Sequence, residues 1–178
     1  MKLYLARHGE TDWNTQGLLQ GQTDIPLNET GRAQAQALGE LLRSQDLRFD
    51  AVYASPLSRT HDTAKIAVED QYSIILDARL GERGLGELEG QPFSRLRELE
   101  GDLFDLAQNV SDYQVEPIRD FHARAQTFLD FLRASYPADA NILAVASSGF
   151  MRRIHTIVTG EPSNAPVFQN ARVYLYEI

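Results

Sequence analysis

Apolar residues along the chain fall into runs of two kinds. Leu3 to Ala6 and Ile142 to Ala146 are short and continuous rather than alternating, the pattern of strands buried on both faces. Ala51 to Ala54, Ser73 to Leu76 and Val173 to Ile178 read as further strands. The segments between them follow helical spacing. Leu38, Leu41 and Leu42 mark one face of a helix over 31–44. Ser55-Pro56 supplies an expected cap and first-turn proline for a helix reaching about Val68. Pro117 opens a helix whose Phe121, Ala125, Phe128, Leu129 and Leu132 recur at i, i+4, i+7, i+8 and i+11. Ser147-Ser148-Gly149 is expected to turn the chain into a last helix, Phe150 to Val158, stopped by Gly160 and Pro162.

Strands that alternate with helices pair in parallel through right-handed crossovers. The expected fold is therefore α/β, a three-layer helix-sheet-helix sandwich around a mainly parallel central sheet. No repeat, low-complexity tract or linker interrupts the 178 residues, so a single domain over 1–178 is expected. In such sheets ligands bind beyond the carboxyl ends of the strands. Three polar clusters follow apolar strands directly and so converge on one rim. They are Arg7-His8-Gly9-Glu10-Thr11 with Asn14, Ser55-Pro56-Leu57-Ser58-Arg59, and Ser147-Ser148-Gly149 with Arg152.

Composition narrows the chemistry available there. The chain has no cysteine, which removes thiolate nucleophiles, cysteine zinc sites, iron-sulfur clusters and thiol redox reactions together. A net charge of −8 argues against nucleic-acid or membrane-surface partners, which call for a basic face. Of 17 basic residues only Lys2 and Lys65 are lysines; the rest are arginines, whose planar fork suits phosphate or carboxylate. The N-terminus lacks a signal-peptide pattern, and no run approaches the ~20 apolar residues of a membrane span, so a cytoplasmic location is expected. Between Glu82 and Asp120 ten acidic residues face four arginines, which reads as an acidic insertion over one sheet edge, with Asp102, Asp105 and Asp112 on a solvated face.

A phosphoryl group in transfer is served by cations around its oxygens, an in-line nucleophile and an acid for the leaving oxygen. Arg7 and Arg59 fit the first role and His8 the second, because a neutral imidazole is competent near pH 7 without a separate base. Gly9 is expected to let backbone come close to the phosphate. Other readings lack their signatures: there is no Gly-x-Gly-x-x-Gly, no Walker lysine, and Ala146 stands where a nucleophile elbow has glycine. His8 with Glu10 or Asp12 could sketch a metal site, but no His-rich spacing supports one. Trp13 could shape a leaving-group pocket or anchor packing, and His61 and His155 fall mid-helix as surface or packing residues.

Further motifs stand beside these clusters: Asp24-Ile25-Pro26-Leu27, Gly31-Arg32-Ala33-Gln34-Ala35, Thr63-Ala64, and Leu80-Gly81-Glu82-Arg83-Gly84 followed by Gly86 and Glu89-Gly90. With Arg7-His8-Gly9-Glu10-Thr11 they run in the order of the histidine phosphatase superfamily, the phosphoglycerate-mutase-like fold, which the chain resembles throughout. The resemblance implies that His8 is phosphorylated and then hydrolysed, with Arg7, Asn14 and Arg59 holding the phosphate. It puts Gln20 and Gly21 in the pocket lining, makes Glu82 the acid that protonates the leaving group and then activates water, and implies no cofactor or metal. The implied partner is a small phosphorylated metabolite or inorganic phosphate.

At the fourth pocket element the chain departs from the pattern. Where the family has Ser-His-Gly, this chain has Ser147-Ser148-Gly149, so Ser148 occupies the place of the second histidine. A short neutral hydroxyl is no direct substitute for a charge-assisted donor, although a water could bridge the gap. The expected activity is therefore a phosphomonoesterase of reduced rate, with a phosphate-binding pseudoenzyme or an inactivated variant as the alternative. A mutase is disfavoured by the acidic 82–120 segment.

Overall fold

The computed structural model describes residues 1–95, 113–161 and 165–178. The strands are β1 (Lys2–Arg7), β2 (Ala51–Ala54), β3 (Ile74–Leu76), β4 (Asn141–Ala146) and β5 (Val173–Glu177). A single helical turn, α1 (Asp12–Thr15), follows β1, and the longer helices are α2 (Glu29–Ser44), α3 (Ser58–Val68), α4 (Ile118–Ser135) and α5 (Ser148–Thr159). The sheet order is β3-β2-β4-β1-β5. Every pairing is parallel except that of the edge strand β5, which runs antiparallel to β1.

The continuous apolar strands have the cause the sequence suggests: both faces of the sheet are covered. Leu3 and Leu5 of β1 pack with Ile142, Ala144 and Ala146 of β4 against Phe121, Phe128, Leu129 and Leu132 of α4 and Phe150, Met151 and Ile154 of α5. Tyr4 and Ala6 turn the other way, with Leu143 and Val145, onto Leu38 and Leu42 of α2 and Ala64, Ala67 and Val68 of α3. Side chains alternating along one strand thus feed two cores, which is the three-layer sandwich. All five apolar positions predicted for α4 are buried. The four larger side chains among them, Phe121, Phe128, Leu129 and Leu132, each contribute roughly 1.5–3 kcal/mol by leaving water.

Register aligns the strand ends that carry the polar clusters. Arg7 lies level with Ala146, and Ala54 level with Val145. His8, Ser55 and Ser147, the next residues, therefore leave the sheet at one rim.

Helix starts differ from expectation where side chains cap from unexpected positions. α2 begins at Glu29 because Asn28 Oδ1 accepts from Gly31 N–H at 2.8 Å. α3 begins only at Ser58, so Ser55 is not its cap and Pro56 precedes its first turn. Instead the Ser55 hydroxyl hydrogen-bonds the Thr60 hydroxyl at 2.6 Å. Ser147-Ser148-Gly149 is the start of α5, with Ser147 at the N-cap, rather than a separate turn. Gly160 ends α5 in the left-handed conformation, φ 73°, as expected of a helix-stopping glycine. Pro162, Asp102, Asp105 and Asp112 lie outside the described residues, as do residues 96–112 of the acidic segment. Among the described residues no helix is long and apolar enough to cross a membrane.

Candidate active site

His8 follows the last residue of β1 and is 3% exposed. Its N–H donates to Ala146 O at 3.0 Å, which ties it to the end of β4. Its Nδ1 lies 2.7 Å from Gly9 O. A carbonyl can only accept, so Nδ1 carries the proton and Nε2 keeps a free lone pair. Burial, then the charges of Arg59 and Arg7, hold the imidazole well below its usual 6.5, so the ring is neutral. A side chain at Gly9 is also forbidden by packing: a Cβ there would stand 2.3 Å from Gly31 O, where the end of β1 crosses close over the first turn of α2. The carboxylate of Glu10 is likewise drawn to this helix start, accepting from Asn28 Nδ2 at 3.0 Å.

Two guanidinium groups flank His8 and are held from behind by carbonyls. Arg59, completely buried in the first turn of α3, donates to Thr23 O at 2.8 Å and Gly21 O at 2.7 Å. Arg7 donates to Phe168 O at 2.7 Å. Burial pulls both below the usual guanidinium value, and the Glu82 charge opposes that in each. The Nε atoms of both arginines are buried without a hydrogen bond. Asn14 closes a capping box on α1, its Oδ1 accepting from Thr11 N–H at 3.1 Å and its own N–H donating to Thr11 Oγ1 at 3.2 Å. With that oxygen engaged, its amide N–H₂ is the group left for an anion.

Glu82 reaches the same place from the opposite side. Its Oε2 accepts from Gly149 N–H at 2.9 Å and its Oε1 from Arg83 N–H at 2.8 Å. Its loop is gripped from α4 by Arg124, whose guanidinium donates to Arg79 O at 2.8 Å, Gly81 O at 2.6 Å and Glu82 O at 2.8 Å. The same guanidinium makes a bidentate pair with Glu116 at 2.8 and 2.9 Å and lies over the Phe121 ring. Glu89 ties the other pocket loop down. Its carboxylate accepts from Gln22 N–H and Leu85 N–H at 2.9 Å, from Thr23 N–H at 2.8 Å, and from the Thr23 hydroxyl. That loop holds the carbonyls of Arg59, and Gly21 sits in it at φ 51° with Glu89 where a Cβ would be.

All nine residues predicted for the site, Arg7, His8, Asn14, Gln20, Gly21, Arg59, Glu82, Ser148 and Gly149, line one cleft that is open to solvent. Gln20 Oε1 is buried there without a hydrogen bond. Leu18, Leu19, Arg83, Leu85, Phe93 and Ser147 complete the wall. The leucines and Phe93 carry no motif that would mark them from sequence. Asn170, also unforeseen, donates to His8 O at 2.9 Å. Three residues weighed from sequence stand apart. Trp13 packs against Gly90, His61 lies on α3, and His155 sits against the Tyr176 hydroxyl at 3.2 Å.

The Bacillus subtilis uncharacterised phosphatase PhoE is 34% identical over 170 residues, which cover 95% of this chain and 81% of that protein. The fructose-2,6-bisphosphatase TIGAR of Xenopus tropicalis is 38% identical over 136 residues; the match covers 73% of this chain but only about half, 49%, of that protein. Among solved structures, a mycobacterial glucosyl-3-phosphoglycerate phosphatase complexed with VO3 superposes with a TM-score of 0.83 at 26% identity, over 98% of this chain and 91% of the other. Relatives named as phosphatases support a phosphatase here. The sequence profile of the histidine phosphatase superfamily, branch 1, matches residues 3–178, and the chain belongs to that family.

Proposed function

We propose that this protein hydrolyses the phosphate monoester of a small metabolite through a phosphohistidine on His8. Nε2 of His8 attacks phosphorus in line while Arg7, Arg59 and the Asn14 amide draw the non-bridging oxygens. The bond to the ester oxygen breaks as Glu82 gives that oxygen its proton, and the alcohol leaves. Glu82, now a carboxylate, takes a proton from water as the water attacks phospho-His8. Phosphate departs, and both groups return to their starting state. No redox partner or cofactor enters the balance.

The observation that carries this reading is the His8 ring, buried, neutral and proton-bearing at Nδ1, between two arginines. Names of the relatives, a bisphosphatase and a glucosyl-phosphoglycerate phosphatase, support a small phosphorylated metabolite as the substrate class. One domain over 1–178, no nucleic-acid or membrane partner and a cytoplasmic location belong to the same reading, supported by charge and composition. A second reading, phosphate binding without turnover, rests on Ser148 alone. Mass spectrometry after incubation with an aryl phosphate and rapid quenching decides between them. One phosphoryl group on the His8 peptide, with release of phenol, supports hydrolysis; phosphate binding with neither supports the second reading.

A further inference from the structure

An N-cap serine ordinarily turns its hydroxyl back to accept from the N–H groups of the first helical turn. Ser147 has the right backbone for this, φ −102° and ψ 163° at the N-cap of the 12-residue helix α5, yet its side chain makes no cap bond. The N–H two residues on, that of Gly149, is given to Glu82 Oε2 instead. Relieved of the cap, the Ser147 hydroxyl is 2% exposed, has no hydrogen bond and lines the cleft beside His8 and Arg59. A buried hydroxyl left unpaired costs stability, so its natural complement is a ligand.

Charge decides which kind. Arg7, Arg59 and the amino end of α5 all favour an anion at this wall and repel a cation. Facing an oxyanion, a hydroxyl donates. We propose that Ser147 is a direct phosphate ligand, its hydroxyl donating to a non-bridging oxygen of the group transferred to His8. This rests on the phosphohistidine reading and extends it. The donor that the Ser148 position lacks is supplied in part from the preceding residue, at the cap that Glu82 has taken over.

The test uses the intact protein, inorganic phosphate and orthovanadate as probes, and Ser147→Ala beside Ser147→Cys, which keeps the volume with a weak donor. Both variants should bind phosphate and vanadate about 10- to 100-fold more weakly, the range for one hydrogen bond to a charged group. Thermal stability of the ligand-free variants should be unchanged or higher, because no bond is lost on folding. Affinity within twofold of the parent overturns the proposal, as does a loss that merely tracks a lower ligand-free Tm. Should the parent itself bind neither probe, the phosphatase reading falls with it; if the parent binds and both variants bind equally well, only the Ser147 assignment falls.

Discussion

Glu82 and Gly149 are fitted to each other: Glu82 Oε2 accepts from Gly149 N–H at 2.9 Å, and a Cβ on Gly149 would stand 2.1 Å from Glu82 Oε1. The carboxyl proposed as proton donor is therefore placed by the first turn of α5, on whose N-cap Ser147 also sits. A glycine there serves the acid's position rather than helix flexibility.

Two substitutions should consequently show one signature. Glu82→Gln has no proton to give and only one acceptor for two backbone N–H groups, so alkyl esters should lose about 10²-fold or more in kcat, and activated aryl esters much less. Gly149→Ala, which forces the carboxyl away, should reproduce that selective loss with Glu82 still present. Leaving-group dependence of kcat across a phenol and alcohol series measures both. Equal losses on every ester remove Glu82 from the acid role.

The buried His8 imidazole gives a pH dependence whose sign is fixed. Its folded-state affinity for protons is well below that of an unfolded histidine near 6.5, so the unfolded chain binds the extra proton first. Stability from this group is complete above pH 6.5 and drains away as pH falls from there towards the folded value. His8→Ala should abolish turnover and phosphoenzyme while leaving the fold intact, and its Tm should fall less steeply with acid than the parent's. Activity should keep a neutral nucleophile below pH 6.5, with NMR titration of the ring giving the same answer directly.

Arg124 tests the support beneath the acid. It reaches three carbonyls of the 79–82 loop and pairs with Glu116, all from one partly buried guanidinium on α4. Arg124→Ala should cost roughly 2–4 kcal/mol in denaturant unfolding, since it strands Glu116 and several carbonyls together. Arg124→Lys keeps the charge but not the fork, and should recover part of the stability while still slowing alkyl esters more than aryl esters. A uniform rate loss across esters would make the clamp purely structural.

Legibility from sequence followed range of interaction. Strands such as Leu3 to Ala6 are written locally, because burial on both faces leaves a continuous apolar run, and the polar residues just beyond them mark the rim. The supports behind the site are not written that way. Arg7 is held by Phe168 O across 161 positions, and Arg124 by carbonyls more than 40 positions away, and a backbone carbonyl leaves no residue type to read. Gly9 shows the converse: its identity was legible, but its packing cause, the crossing of α2 at Gly31, exists only in three dimensions. Capping misled for the same reason: Ser55 reads as the cap of α3, yet that helix begins only at Ser58 with Leu57 at its N-cap.

The last expectation concerns Ser148, which opens α5 and lines the cleft, and which the proposed reading sets in the place of a second histidine. The strand β4 and the helix after it already bring this position to the rim, so Ser148→His should reach the phosphoryl oxygens without any backbone change. An imidazolium there meets charge that develops as the phosphoryl group is transferred, so the gain belongs in kcat with substrate affinity little altered. Losing one such donor typically costs about 10²- to 10³-fold, and restoring it should return about 10²-fold where Ser147 already supplies part of the charge stabilisation. The added cation should also press the His8 ring further from protonation, adding to the effect of Arg59 and Arg7. Single-turnover rates on an alkyl phosphate, with Tm checked alongside, carry the measurement. A well-folded variant no faster than the parent means that the pocket does not lack a donor, and the phosphate-binding reading then takes precedence over hydrolysis.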